Sequence, residues 1–212
     1  MLRGSLRRTF SAIKPNYLHF DNKQPNNLVV CHGLMGSHKN FRNICRNPLV
    51  TCHANCYLLD ARNHGDSPHT PTHSVQELAD DVAQFITDNN LNKVTLMGHS
   101  MGGLSLMAFS KYFTSMQHIV DNIIIIDMSN SPGAAGNETK HMLSLLNKMS
   151  LKGKPIEQIY HELDTLPVHK DIIGLLKTNI APSKVDPTDH IWKSNIRALY
   201  EHYDELVGFY LP

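Results

Sequence analysis

The chain has 212 residues, enough for one globular domain with a full hydrophobic core. Its 20 lysines and arginines nearly balance its 19 aspartates and glutamates, which leaves a formal net charge of +1 and gives no support for nucleic-acid binding. No stretch approaches the roughly 20 apolar residues that a membrane-spanning helix needs, so no transmembrane segment is predicted.

The first 15 residues have an unusual composition. They carry Arg3, Arg7, Arg8 and Lys14, and no acidic residue occurs before Asp21. An Arg- and Ser-rich, acid-poor, weakly amphipathic start is typical of a mitochondrial presequence, whereas a secretory signal has a continuous apolar core. Residues 1–15 therefore predict a presequence and a mitochondrial, matrix location, with any protein partner there unidentified. A disordered basic tail is the alternative.

The four cysteines predict neither disulfides nor a metal site. Cys31, Cys45, Cys52 and Cys56 have spacings that suit no disulfide framework, which indicates a reducing compartment. Cys52, His53 and Cys56 have a spacing that metal ligands can have, but Cys56 opens an apolar strand. Buried free thiols are therefore the preferred interpretation, and no metal or cofactor is predicted.

The chain then alternates between predicted strands and helices. Strands are expected at residues 16–20, 28–31 and 56–60, and a first helix at residues 40–49. Residues 28–31 are apolar throughout, as in a parallel strand that is buried on both faces. Ser74 and Glu77 have the spacing of a capping box and predict the start of a second helix.

The loop after the strand at residues 28–31 has the sequence His32-Gly33-Leu34-Met35-Gly36-Ser37. It predicts exposed backbone amides at the carboxyl end of the sheet, and the Leu34 amide is a candidate oxyanion donor. His32 and Gly33 are candidate substrate contacts, although His32 is expected to shape the loop rather than to transfer protons.

A later loop, residues 61–68, contains His64 and Asp66, which resemble a catalytic dyad. Asn-His-Gly is a turn signal, however, and Asp66 or Ser67 can bond to the local backbone. The structural interpretation is therefore preferred for this loop.

The central motif is Gly98-His99-Ser100-Met101-Gly102, between an apolar strand at residues 94–97 and a helix-forming segment at 104–113. Gly-x-Ser-x-Gly at such a junction is a nucleophile elbow. The serine occupies a strained turn, and a β-carbon two residues before it or two residues after it would meet neighbouring backbone. Ser100 is thus the candidate nucleophile, Met101 the second oxyanion-hole amide, and His99 a candidate substrate contact. The alternative is a glycine-rich loop with an ordinary capping serine.

Four isoleucines at residues 123–126 predict a central parallel strand with a neighbour on each side. Asp127 follows this strand, as Leu34 and Ser100 follow theirs. Since the carboxyl ends of parallel strands meet at one edge of the sheet, these three residues should converge. The order of elements predicts a doubly wound, mostly parallel α/β sheet.

The second part of the chain predicts a helical lid. Helices are expected at residues 141–149, 155–163, 170–177 and 186–209, the last beginning with Asp186-Pro187. Their apolar stripes favour a lid over the cleft, lined for an apolar substrate. The predicted division is a core over residues 16–130 and a lid over residues 131–212.

Three segments carry a family resemblance: Leu28-Val-Val-Cys-His-Gly-Leu-Met-Gly-Ser, Leu59-Asp-Ala-Arg-Asn-His-Gly-Asp-Ser-Pro and Met97-Gly-His-Ser-Met-Gly-Gly. They resemble the α/β-hydrolases, in particular the mitochondrial abhydrolase-domain-11 type, which is related to small bacterial esterases. The resemblance extends over about residues 16–211. It implies a cofactor-free hydrolase of small acyl or lipid-like carboxylic esters, in which a histidine activates Ser100 and an acid, with Asp127 as a candidate, orients that histidine.

The sequence departs from this family pattern at its end. In the family, two further strands follow the lid and the catalytic histidine follows the last strand, but none of the 14 histidines here has an equivalent position. The departure predicts a fragment or splice variant with the last strands missing, an association-prone edge strand at residues 123–126, and little activity in this form. A thioesterase, a diacylglycerol-type lipase and a non-catalytic partner-binding protein remain as alternatives.

Overall fold

The structure, a computed structural model, describes residues 12–129 and 136–211. Most of the predicted presequence therefore lies outside the described residues. The part that is described packs on the core, since the backbone N–H of Ile13 donates to Oδ1 of Asp81 at 2.8 Å.

A five-stranded sheet in the order β1-β3-β2-β4-β5 forms the centre of the structure. The strands are β1 (Tyr17–Phe20), β2 (Asn27–Cys31), β3 (Asn55–Leu59), β4 (Val94–His99) and β5 (Val120–Ile126). β1 runs antiparallel to β3 and all other neighbours are parallel. The predicted doubly wound, mostly parallel sheet is thus confirmed.

Helices cover both faces of the sheet. α3 (Val75–Asp88) and α4 (Met101–Tyr112) pack with Val29 in one apolar cluster. Val30, which points to the opposite face, packs in a second cluster with Cys45. The capping box that begins α3 is formed as predicted.

The predicted helix over residues 40–49 is wrong. The segment instead forms a 3-10 helix (His38–Phe41) followed by two single turns, α1 (Arg42–Cys45) and α2 (Pro48–Thr51). Proline cannot continue a helix from the preceding turn, because it has no N–H and its ring clashes with the carbonyl one turn earlier. Asn47 starts a new helix there by accepting a hydrogen bond from the Leu49 amide at 2.9 Å.

β5 lies at the edge of the sheet and, within the described residues, pairs with β4 alone. The isoleucine run alone predicts a neighbouring strand on each side of β5. This prediction is wrong for the described part of the chain. The edge position predicted for residues 123–126 is found within the described residues. Ile123, Ile124 and Ile126 are 36%, 44% and 37% exposed, whereas Ile125 packs against the core.

The segment predicted to be a lid is largely helical, as expected from its apolar stripes. Its helices are α5 (Asn137–Lys148), α6 (Ile156–Asp164), α7 (Lys170–Thr178), α8 (Ile196–Glu201) and α9 (Tyr203–Val207). They enclose an apolar cluster of their own, which also includes Met35 from the loop after β2. No helix in the described part of the chain is both long and apolar enough to cross a membrane.

The predicted helix over residues 186–209 is wrong over its first half. β6 (Ile180–Pro182) and β7 (His190–Trp192) form an antiparallel hairpin instead. Asp186 stabilises the turn of this hairpin, because its carboxylate accepts hydrogen bonds from the amide and hydroxyl of Thr188. The true helix start is Asn195, whose side chain accepts from the Ala198 amide at 3.3 Å.

Candidate active site

Ser100 joins β4 to α4 in a backbone conformation that side chains rarely adopt. Its φ is 51° and its ψ is −117°, and such a conformation persists only where the surroundings impose it. Its amide donates to the Ile126 carbonyl and its carbonyl accepts from the Leu104 amide, both at 3.0 Å. Among the described residues its side chain does not cap α4, so the interpretation as an ordinary capping serine is not supported.

The two glycines that flank Ser100 allow close backbone contacts. A β-carbon on Gly98 would lie 2.4 Å from the Gly102 carbonyl oxygen. A β-carbon on Gly102 would lie 2.3 Å from the Cys31 carbonyl oxygen, at the end of β2. The start of α4 therefore lies directly against the loop that follows β2.

That loop contains a tight turn beside Ser100. The Gly36 amide donates to the Gly33 carbonyl at 2.9 Å, and Met35 has a φ of 60°, as at the third position of a type II turn. A β-carbon on Gly33 would lie 3.2 Å from Cβ of Ser100. Leu34 and Met101 line the same cavity as Ser100, so the structure brings the three predicted residues together.

His32 lies beneath this loop. Its Nε2 accepts the Ala61 amide at 3.0 Å, so its proton resides on Nδ1, which donates to the Gly33 carbonyl at 2.8 Å. His32 is 1% exposed, and burial lowers its pKa below the usual range. It does not line the cavity that holds Ser100. His32 thus lies where it can shape the loop, and its role as a substrate contact stays a prediction.

His64 has a more specific role than the turn signal suggested. Its Nε2 accepts the Met35 amide at 3.1 Å and its Nδ1 donates to the Arg62 carbonyl at 2.9 Å. Burial, followed by the neighbouring His32 and His73, holds the pKa of His64 well below its usual range. The side chain is neutral and holds the turn after β2. Asp66 has no part in a dyad with it, and its amide donates to Asp60.

Asp127 lies on the rim of the site. It follows β5 with a φ of 50°, and its side chain is 88% exposed with Oδ2 3.8 Å from Nε2 of His99. His99 lines the cavity together with Gly33. Asp127 is therefore beside His99 rather than beside a base for Ser100. Within residues 12–129 and 136–211, no histidine nitrogen is hydrogen-bonded to the Ser100 hydroxyl.

The cavity that holds Ser100 has a volume of about 750 Å³, within the range of small-molecule sites. Its walls come from the elbow, the turn after β2 and the predicted lid. The polar side chains at this cavity include Glu138, His141 and His169. Its apolar lining is more extensive and includes Leu104, Met142, Leu166, Val168, Leu175 and Leu206.

The described residues contain no cluster of histidine, cysteine or acidic side chains that could hold a metal ion. The cysteines are free thiols, as predicted. Cys31, Cys45 and Cys56 are buried, but Cys52 is exposed, so the expectation of burial is wrong for that residue because it follows the short helix α2 at the surface.

Comparisons with known proteins agree with this geometry. Residues 26–155 match the model of the family described as alpha/beta hydrolase fold. The chain is 25% identical over 208 residues to an sn-1-specific diacylglycerol lipase, ABHD11, of Danio rerio, a match that covers 95% of this chain and 64% of the relative. It is 38% identical over 197 residues to an esterase/lipase-type protein of Haemophilus influenzae, a match that covers 92% of this chain and 66% of that relative. The chain thus spans just under two thirds of the length of these relatives.

A solved structure of a marine microorganism esterase is similar in fold. It superposes with a TM-score of 0.83 at 24% sequence identity, and the match covers 95% of this chain and 76% of the esterase.

Proposed function

Because the chain belongs to the alpha/beta hydrolase fold family, we propose that it is a serine hydrolase of carboxylic esters with Ser100 as its nucleophile. The observation that carries this proposal is the strained backbone of Ser100 directly beside the Gly33–Gly36 turn, at the wall of a large cavity. Strained residues of this kind cluster at functional sites.

The proposed reaction is a two-step acyl transfer. The Ser100 oxygen attacks the ester carbonyl while a base takes its proton, and the alcohol leaves with that proton as the C–O bond breaks. Water then cleaves the acyl-serine and releases the carboxylic acid. The amides of Leu34 and Met101 would donate to the oxyanion in both steps, and the N-terminal dipole of α4 favours the same charge.

We further propose that this form of the protein is impaired. No described histidine is hydrogen-bonded to Ser100, and a serine without a base is a weak nucleophile. Loss of a triad member typically leaves only ~10³–10⁴-fold catalysis over water. Asp127 remains the candidate acid of a complete triad because it follows a strand at the same edge of the sheet.

The proposed substrates are esters with an apolar acyl chain. A cavity of about 750 Å³ with an extensive apolar wall from the lid supports this class, with Gly33 and His99 as substrate contacts. The diacylglycerol lipase name of the Danio rerio relative favours glycerolipid esters among them. A thioesterase would use the same residues.

The experiment that tests the function combines ester hydrolysis with active-site labelling. We expect slow hydrolysis of a 4-nitrophenyl ester series, abolished by Ser100→Ala and unaffected by Ser110→Ala, an exposed serine on α4. Hydrolysis that survives Ser100→Ala would overturn the assignment. No hydrolysis at all by a cooperatively folded protein would favour the non-catalytic partner-binding alternative. Rapid labelling of Ser100 by a fluorophosphonate would refute the impairment alone.

We also propose that residues 16–130 form the core and residues 131–212 the lid. A separate proposal is that residues 1–15 direct the protein to the mitochondrial matrix. The Arg-rich, acid-poor start supports the targeting proposal. A fluorescent fusion that carries residues 1–15 should enter mitochondria, and the same fusion with Arg3, Arg7 and Arg8 replaced by glutamine should not. Equal distribution of both fusions would refute targeting.

A further inference from the structure

Met35 adopts a left-handed conformation without the residue types that favour it. Its φ is 60°, at a turn position where glycine or asparagine is usual. The side chain is 1% exposed and packs in the lid cluster rather than against the sheet. The turn Gly33–Gly36 must therefore be held by contacts from outside itself.

Two side chains hold the backbone of Met35 from opposite directions. His64, in the loop after β3, accepts the Met35 N–H at 3.1 Å. Asn179, at the end of α7 in the lid, donates from Nδ2 to the Met35 carbonyl at 2.6 Å. The two peptide groups that flank Met35 are thus fixed by one side chain each.

Asn179 is itself fixed by the lid. It is 5% exposed, its Oδ1 accepts from the Ser194 hydroxyl at 2.7 Å, and its Nδ2 also lies 3.1 Å from the Leu175 carbonyl. Its backbone carbonyl accepts from the Lys193 amide at 2.7 Å. The asparagine therefore ties the turn to α7 and to the β6–β7 hairpin at once.

We propose that Asn179 and His64 are positioning residues, and that Asn179 makes the oxyanion site depend on a docked lid. The proposal rests on the proposed function, since Leu34, the preceding residue of the same turn, supplies one of the two oxyanion amides. If Met35 is released, its strained φ can relax and the turn shifts the Leu34 amide, although His32 still holds the Gly33 carbonyl of the same peptide. The lid then controls transition-state stabilisation as well as access to the cavity.

The kinetic test compares Asn179→Ala with Ser194→Ala. Both remove a buried hydrogen bond of Asn179, but only the first removes the donor to Met35. The readout is the ratio of rates for an ester and its thionoester, because sulfur accepts hydrogen bonds weakly and gains little from oxyanion amides. We expect Asn179→Ala to lower kcat about ten- to a hundredfold with little change in KM, and to lower the ester-to-thionoester ratio. Ser194→Ala keeps the Nδ2 donor and its contact with Leu175, and should lower that ratio much less.

A second measurement tests the coupling without catalysis. Amide hydrogen exchange at Met35 and Gly36, measured relative to the amides of β4, should accelerate in Asn179→Ala and clearly less in Ser194→Ala. If Asn179→Ala does not fold, Asn179→Leu serves instead, because leucine has nearly the same shape and cannot donate to Met35. An unchanged rate ratio, or unchanged exchange at these two amides, would overturn the proposal. If the wild-type protein hydrolyses no ester, the proposed function fails, and the exchange data still decide whether Asn179 holds the turn.

Discussion

The carbonyl oxygen of Cys31 lies 2.3 Å from the place that a β-carbon on Gly102 would occupy. Cys31 is the last residue of β2 and Gly102 is the second residue of α4. Ser100 and Leu34 each lie within three residues of this contact. The close approach of the two backbones therefore sets the separation between the candidate nucleophile and the turn that is proposed to supply one oxyanion amide.

Gly102→Ala is expected to destabilise the protein by at least ~2 kcal/mol, because the new methyl group meets backbone that must shift. The matched control is Gly174→Ala in α7, where a β-carbon would meet nothing within 4 Å. That change should be neutral or stabilising by up to ~1 kcal/mol. Urea denaturation of both variants measures the difference, and equal unfolding free energies would contradict the packing described for the elbow.

Arg62 forms a buried ionic network whose loss should be costly. It is 1% exposed, its Nε and Nη2 each donate to Asp81 at 2.7 Å, and its Nη1 lies 2.7 Å from Oε1 of Glu77. Arg62→Met leaves two carboxylates without their cation and should lower the unfolding free energy by about 3–5 kcal/mol. Arg197→Ala removes only an exposed pair with Glu201 and should have no measurable effect. A similar melting temperature for both variants would show that the buried network does not stabilise the fold.

The features that sequence analysis predicted are those encoded by neighbouring residues. The elbow is readable because Gly98, Ser100 and Gly102 carry the strained turn and its close contacts within five positions. The capping box at Ser74 and Glu77 is local in the same way. Alternating apolar strands and helices likewise identify the sheet, since each element carries its own periodicity.

The features that were missed depend on contacts between distant residues or on local breaks. Nothing near Asn179 in the sequence indicates a hydrogen bond to Met35, 144 positions away. The helix expected at residues 40–49 ends early because Pro48 starts a new turn. The helix expected from Asp186 is replaced by a hairpin, because Asp-Pro serves as well in a turn as at a helix start.

Three buried neutral histidines should make the protein sensitive to mild acid. Burial lowers the pKa of His73 to about 3, and burial also lowers the pKa values of His64 and His32. These groups bind protons in the unfolded chain below about pH 6.5, and bind them less readily in the folded protein. Their titration therefore costs folding nothing above that pH, and the unfolding free energy decreases as the pH falls below it, by at most about 1.4 kcal/mol per pH unit for each histidine while its folded form stays neutral.

The unfolding free energy from urea titrations at pH 7, 6 and 5 measures this effect. This pH range is chosen because carboxylates such as Asp60, whose pKa is lowered, titrate below it. His64→Gln should reduce the slope of the unfolding free energy against pH by about the contribution of one histidine. His53→Gln, which changes an exposed side chain, should leave the slope as it is. A wild-type stability that does not change between pH 7 and pH 5 would show that these histidines are not held neutral.

The exposed edge at β5 should promote self-association. Ile124 and Ile126 are 44% and 37% exposed, and the free backbone groups of an edge strand can pair with another chain. Ile124→Lys places a charge on this strand and should reduce concentration-dependent association, with little loss of stability at so exposed a position. Sedimentation velocity over an approximately tenfold concentration range measures the effect. Leu49→Lys, a change at a side chain on α2 that is 79% exposed, is the matched control and should not reduce association. A wild-type protein that stays monomeric throughout and melts cooperatively would contradict the prediction.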